Sequence, residues 1–448
     1  MEVSLEQLTA EFQYEIIKTL ADTPDIHEAL KKAHLIVKRY TCNLIGAWYT
    51  KMDEILLRDT SIKRRYKLQH SDRNRSIYTE IGMITYHRSY FRDRRTNKNV
   101  YLIDRYNHLE PYQRISDGLK IELVEAALNL SYRKASKLVT GGNISAQSVM
   151  NAIRCTEPVE EEITERRHVP VLHIDVDEDH ISVRKKKKAK SEIARLLVSY
   201  EGVDHGSCIS PTATGRYGMT SDDFWNESLA DMQYRYDLTG TKLYLHADGA
   251  KWIAMAKEYF PDVIFVLDKF HKNKALKKIE SFLKRTEDYR LGSALREALS
   301  NGQKDIADYL VKLVRERYRD TVSKDVKQAM TYLLNNIDGI SICSTDPEAN
   351  NGGCSEPHVS NYLSDRLSSR PRVWGETTLK AIVPLLTARR EIRIKKREKA
   401  VPVIVNKVVQ KQSARYIYDI DPRAIGNVPV LAMGKVNPLY NSLRWLNN

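Results

Sequence analysis

Cysteine is sparse in this chain of 448 residues, and its five copies, Cys42, Cys155, Cys208, Cys343 and Cys354, stand far apart with no C-x-x-C pair among them. That spacing argues against a disulfide framework or a structural zinc knuckle. It fits a reducing cytoplasm in which all five are small, inert apolar residues. No run of eighteen apolar residues occurs, so a membrane-spanning helix is not expected. The opening residues, MEVSLEQLTAEF, are acidic and amphipathic rather than basic then apolar, which is not the pattern of a secretory signal. Negative charge is also in deficit. Asp and Glu number 58 against 72 Lys and Arg, a formal net charge of +14, and such a balance suits a polyanionic partner, nucleic acid first. With 42% hydrophobic and 29% charged residues the chain is neither disordered nor fibrous, and its length allows about two to four domains.

Periodicity divides the chain. Leu5, Leu8, Phe12, Ile16 and Leu20 share one face at three- and four-residue steps, with Ser4 and Gln7 spaced as a capping box, so a helix opens an N-terminal helical region over residues 1–60. A β-rich subdomain follows over 61–116, where Ile77, Tyr78, Ile81, Ile84, Tyr86, Tyr90 and Phe91 surround Gly82 and predict a hairpin or small meander. Residues 61–100 carry 11 Lys/Arg against 3 Asp/Glu, more than half of the chain's net charge. Residues 117–168 return to helical spacing and end in an acidic linker helix near Glu157–Arg167. From 169 to 271 strands and helices alternate (VLHIDVD, a charged turn, ISV, IARLLVSYEGV, KLYLHADG, AKWIAMAKEYF, VIFVLD), which predicts an α/β sheet. An all-α insertion is expected over 272–345. Residues 346–448 then complete the core and end in a basic tail, where ARREIRIKKREKA holds seven basic residues and two acids.

Within 117–168 lies LSYRKASKLVTGGNISAQSVMNAI. Ser131 can cap one helix with Ala135, Leu138 and Val139 inward; Gly141-Gly142 supply the turn; Ser145 can cap a second with Val149, Met150 and Ile153 inward. The pattern is that of a helix-turn-helix, and it is equally that of a helical hairpin in a core. On the second helix Gln147, Ser148, Asn151 and Arg154 point outward and are of types that reach bases or phosphates. The basic surroundings favour DNA. A second basic run, Arg184, Lys185, Lys186, Lys187, Lys188, reads as a solvated hairpin tip or as a phosphate contact.

Carboxylates close two apolar strands: Asp177 ends VLHIDVD, and Asp248 ends KLYLHAD before Gly249. An unpaired acid at the end of a buried strand is costly, so the pair asks for a compensating cation. Hard divalent cations take oxygen ligands, and Mg²⁺ needs few from the protein. A third acid, Glu356, follows Gly352-Gly353 into the first turn of a helix, where the free N–H groups favour negative charge. Asp175, Asp177 and Asp179 share one strand face, so parity cannot choose among them; aligning DVDEDH on HADGAK sets Asp177 opposite Asp248. Asp268 and His271 in LDKFH read as an N-cap and a structural imidazole, or as part of a site. Trp252 and Trp374 read as core.

The ordered segments IDVDEDHI, LHADGAKWI, LDKFHKNKAL and GCSEPHVSNYLSDRLSSRP, with ITYHRSYFRDRRTNKNVYLIDRYNHLEPYQRIS and LSYRKAS upstream, resemble the DDE transposases of bacterial insertion sequences, most closely the ISLre-type family of Gram-positive bacteria. The resemblance implies a multidomain protein: an N-terminal α+β DNA-binding region with a helix-turn-helix, then an α/β RNase H-like core broken by an all-α insertion in the 108-position step from Asp248 to Glu356. It implies that Asp177, Asp248 and Glu356 hold two Mg²⁺ or Mn²⁺ ions, with Asp175, Asp268 and His271 as possible accessories; Asp268-x-x-His271 is similar to an element of Mutator-like transposases. It further implies metal-dependent cleavage at transposon ends and strand transfer, double-stranded DNA as partner (terminal inverted repeats and target), a homo-oligomer at synapsis, and a cytoplasmic, nucleoid-bound protein. A DNA-binding regulator on an inactive scaffold, or a two-metal nuclease without joining, would share most of these features.

Overall fold

The computed structural model describes residues 5–186, 188–370, 372–388, 391–395 and 403–419. Ser4 of the expected capping box, Lys187, and most of the basic tail lie outside these residues. The chain forms two compact units, one from residues 1–120 with 396–448, the other from 121–395.

In the first unit two long helices, Leu5–Asp22 and Ile26–Arg58, precede a three-stranded antiparallel sheet of β1 (Tyr66–Thr79), β2 (Gly82–Asp93) and β3 (Asn99–Tyr101). The hairpin turn falls at Thr79–Gly82, where Gly82 takes φ 141°, so the expected meander is present. Met52, Leu56, Tyr66, Ile77, Tyr86 and Phe91 form its core. Of the expected 346–448 stretch, residues to Lys395 belong with the other unit, but the described helix from Val403 falls in this one. Helix Val403–Asp419 inserts Val405, Val408 and Val409, an apolar stripe at helical spacing, into this first core. Part of the segment's basic charge is spent internally: Arg88 and Arg75 pair with the buried Asp104, and Arg65 pairs with Asp93.

The second unit is built on a five-stranded sheet. Its strands are β4 (Val171–Lys185), β5 (Lys188–Tyr200), β6 (Thr212–Tyr217), β7 (Lys242–Ala247) and β8 (Ile264–Leu267), in the order β6-β5-β4-β7-β8. The first three are antiparallel neighbours; β4, β7 and β8 are parallel. Leu172, Ile174, Val176, Leu245 and Ala247 pack beneath Phe224 and Trp225 on one face. The expected turn after Asp177 is absent. The strand runs on through Glu178-Asp179-His180 to Lys185, because Asp179, Ile181 and Val183 continue the buried alternation on that strand. From Lys269 to Thr345 five helices form the expected all-α insertion, whose own core includes Ile279, Leu283, Leu295, Val311, Met330 and Leu333.

Two further expectations fail here. The linker is no helix: Thr156–Pro158 is a short strand paired with Ile392–Ile394, and the residues up to the next short strand at Arg167 are irregular. Pro158 lacks the N–H a helix needs, and Glu160-Glu161-Glu162 repel one another. The boundary expected at 168/169 also does not separate compact units; the helices from 121 to 154 belong with the sheet. Arg366 explains how, since its Nε donates to Ala127 O at 2.8 Å and its guanidinium lies 4.8 Å from the Trp374 ring.

Candidate active site

The capped helix pair is as its sequence predicts. Ser131 accepts from Lys134 N–H, Gly141 ends the first helix at φ 65°, and Ser145 accepts from Ser148 N–H to start Ala146–Arg154. Ala135, Val149 and Ile153 are fully buried, but Leu138 is 70% exposed. Gln147 and Asn151 are exposed and hydrogen-bond each other at 3.1 Å. Arg154 is not outward. Its Nε and Nη2 donate to Thr378 Oγ1 at 3.0 and 2.9 Å, since the last turn of this helix lies against Glu376–Ala388. Arg184, Lys186 and Lys188 are exposed at the β4–β5 turn, whereas Lys185 pairs with Glu192 and Glu376. This tip lies about 25 Å along the strand from Asp177 at 3.3 Å per residue, so it does not flank the acids.

The acids themselves converge. Parallel pairing of β7 with β4 ends at His246 opposite Asp175, and Asp248 follows just beyond the end of β7, close enough to Asp177 to act on its charge. Asp177 is 8% exposed, and among the described residues its carboxylate accepts one hydrogen bond, from Glu178 N–H at 2.8 Å. Burial pushes its pKa up to about 6, and the neighbouring Asp248 and Glu356 push the same way. Asp248 Oδ1 accepts from Ala250 N–H in the turn that follows, while its carbonyl accepts from Tyr332 Oη of the helical insertion at 2.7 Å. Glu356 is exposed in the first turn of helix Ser355–Val359, which continues as a π-helical turn over Ser360–Ser364. Gly352 has to be glycine, because a Cβ there would meet the His246 ring at 2.2 Å.

Asp268 is the N-cap that one reading expected: its Oδ2 accepts from the N–H groups of Phe270 and His271, and from His271 Nδ1 at 3.3 Å. That hydrogen bond raises the His271 pKa, with Asp177 and Asp248 adding to the effect. Trp374 is buried and Trp252 packs beside the Phe224–Trp225 core while donating to Glu178, as a core reading predicts.

Asp175 faces the same way as Asp177 but is already satisfied. It is 2% exposed, accepts from Tyr200 Oη at 2.9 Å and from Cys354 N–H at 2.8 Å, and lies 3.1 Å from His358 Nδ1. His358 Nε2 in turn lies 3.5 Å from Cys208 Sγ. Behind them His173 and His246 share a 3.0 Å hydrogen bond, and burial lowers His246 to about 4, so it is neutral near pH 7. Sequence reasoning missed this cluster, whose only local signal is C-x-x-x-H at Cys354 and His358, one helical turn apart.

The donor set suits a hard divalent cation. Asp177, Asp248 and Glu356 offer hard oxygen ligands suited to Mg²⁺ or Mn²⁺, and a buried carboxylate with a single hydrogen bond gains from a cation. Among the described residues no three His, Cys, Asp or Glu side chains are gathered tightly enough to hold an ion as they stand.

Comparison with known proteins adds the family. The uncharacterised protein family UPF0236 matches residues 22–400. The chain belongs to it. A UPF0236 protein of Caldanaerobacter subterraneus subsp. tengcongensis is 32% identical over 419 residues, covering 90% of this chain and 87% of the relative, and its name joins eleven locus designations. A second from the same organism is 30% identical over 466 residues, covering 100% and 99%. A third, whose name joins four locus designations, is 30% identical over 455 residues, covering 97% and 95%. No helix among the described residues is long and apolar enough to cross a membrane.

Proposed function

We propose that this UPF0236 protein is a DNA transposase of the DDE, RNase H-like class, cutting DNA at the ends of a mobile element and joining them to a target. One observation carries the reading: a buried Asp177 that holds one hydrogen bond lies within electrostatic reach of Asp248, Glu356 and His271. The order β6-β5-β4-β7-β8, antiparallel then parallel, and the insertion between the second and third acids suit such a core. A relative whose one name covers eleven loci of a single organism is what a sequence copied to many places would give.

Asp177, Asp248 and Glu356 would hold two Mg²⁺ or Mn²⁺ ions. Bound there, they would supply a lowered pKa at a water or DNA 3′-hydroxyl and charge to offset the leaving oxygen. The protein's own groups prepare the ground. Asp268 orients His271 so that its ring, poised towards protonation, can donate to a phosphate oxygen beside the acids. Exposed Gln147 and Asn151, and the surplus of Lys and Arg on β1 and β2, supply base and phosphate contacts. No side chain serves as nucleophile, so no covalent protein–DNA intermediate arises.

The test uses the full chain with a duplex carrying the inverted repeat that flanks its coding region, in Mg²⁺, Mn²⁺, Ca²⁺ or EDTA. Cleaved and joined products in Mg²⁺ or Mn²⁺, poor activity in Ca²⁺ and none in EDTA are expected. Cleavage without joining would make it a nuclease. Binding without cleavage would make it a regulator.

A further inference from the structure

The helical insertion opens with Lys269–Leu283, a helix whose two sides differ in kind. One side carries Ala275, Leu276, Ile279 and Leu283 into the insertion's core. The other carries Lys274, Lys277 and Lys278, and Lys284 with Arg285 continues that face into the turn that ends the helix; all five are exposed. Residues 269–285 hold seven Lys or Arg against one acid, Glu280, and Arg296 takes that acid at 2.8 Å. Elsewhere in the insertion exposed cations have acids to hand: Lys304 pairs with Asp338, Lys312 with Asp308 and Arg317 with Asp288. Among the described residues none of the five is paired in this way. Lys284 and Arg285 gain from the helix C-terminus, whose carbonyls favour cations. Lys274, Lys277 and Lys278 stand earlier, at three- and four-residue spacing, where like charges repel. An anion lying along the face relieves that repulsion.

The place of the face points to which anion. β8 pairs with β7 with Leu267 opposite Ala247, so Asp248 and Asp268 follow neighbouring strand ends, and the helix begins one residue after Asp268. From Lys274 to Arg285 the face runs about 16 Å, alongside about five phosphates of one DNA strand at roughly 3.4 Å each. Lys278 and Arg285 also border a cavity of about 1100 Å³ lined by Ser281, Thr286, Thr321 and Ser323, residue types that donate to phosphate. No large apolar side chain from 274 to 285 is exposed, so the face lacks the anchors that a lipid surface takes.

We propose that Lys274, Lys277, Lys278, Lys284 and Arg285 form a DNA-binding surface on the helical insertion, holding the phosphate backbone of the duplex on its way from the acids. Contacts of this kind set affinity and register and carry no sequence information. The binding rests on the charge of the face alone. That the bound duplex is the one reaching the acids rests on the proposed transposase chemistry.

The experiment titrates the full chain, in EDTA and over a range of salt, against a fluorescent duplex carrying the flanking inverted repeat and against one of scrambled sequence. Lys277→Gln, Lys278→Gln, Lys284→Gln and Arg285→Gln combined should weaken binding to both duplexes on the order of ten-fold or more at physiological salt. The slope of log affinity against log salt should fall by about 3–4, at roughly 0.9 per lost phosphate contact. Preference for the repeat should stay as it was, and replacing the three lysines by arginine instead should keep both affinity and slope. A measurement on the wild type needs no folded variant: duplex should protect Lys277, Lys278 and Lys284 from acetic anhydride, read by mass spectrometry of the peptides. Unchanged affinity and slope in the glutamine variant, or lysines labelled equally with and without duplex, would overturn the surface. Protection by phosphatidylserine vesicles and not by duplex would assign the face to a membrane and overturn it equally. Repeating the titration in Mg²⁺ separates the surface from the chemistry. A wild type that binds through this face and never cuts supports the surface and counts against the transposase reading; a glutamine variant that cuts with wild-type rate and KM overturns the surface and leaves that reading standing.

Discussion

Two aspartates on one strand, two residues apart and facing the same way, have opposite surroundings. Asp175 is met by Tyr200, the Cys354 N–H and His358; Asp177 has one backbone hydrogen bond, His271 at a distance, and Asp248 and Glu356 as further acids. Burial is almost the same at both, 2% and 8% exposed, so burial alone does not mark a functional acid. What marks it is the missing compensation. A satisfied carboxylate builds the fold, and an unsatisfied one beside further acids is a place for a cation.

The comparison breaks most sharply in catalysis. Asp177→Asn, Asp248→Asn and Glu356→Gln should each lower Mg²⁺-dependent cleavage on the order of a thousand-fold while duplex binding in EDTA is unchanged; near-normal rates in all three would remove Asp177's distinction. Stability should respond in the other direction. Asp175→Asn removes the charge that Tyr200, Cys354 and His358 surround, and urea unfolding at pH 7 should register a loss of about 2–4 kcal/mol. Asp177→Asn should stabilise the metal-free protein instead. Its folded pKa of about 6 lies above the unfolded 3.8, so the stability its protonated form contributes is complete below about pH 3.8 and lost as pH rises through 6. At pH 8 in EDTA the variant should exceed wild type by about 1–3 kcal/mol, with the gap closing towards pH 4. Equal stability across that range would mean that Asp177 is compensated after all. The smallest effect concerns the helix pair: Arg154→Ala should cost about 1–2 kcal/mol through the lost bonds to Thr378, whereas Gln147→Ala leaves the melting temperature unchanged and relaxes base preference in a binding assay.

What could be read from sequence was local chemistry and strand phase. Ser131, Gly141 and Ser145 announce helix ends because their side chains or φ values act within four residues. Aligning DVDEDH on HADGAK found the register of β4 and β7 because parallel strands keep a constant offset. The Asp175 cluster was invisible because its partners arrive from 25, 179 and 183 positions away, at Tyr200, Cys354 and His358. Charge also misled. Glu178-Asp179-His180 looked like a turn, but Asp179 is buried against Ser368, and a strand needs only partners for its acids to continue. At Arg154 the outward side of the helix was inferred from a polar residue type, and Thr378, 224 positions on, supplied a partner that reverses it.

The first unit draws its core from both ends of the chain: Val405, Val408 and Val409 close an apolar cluster begun by Met52 and Leu56. On a ribosome, which delivers the N-terminus first, that unit therefore waits for Val405–Val409 to be made before its core can close. A chain cut short anywhere before Val405, by a nonsense codon or a stalled ribosome, would present exposed apolar surface to chaperones and proteases.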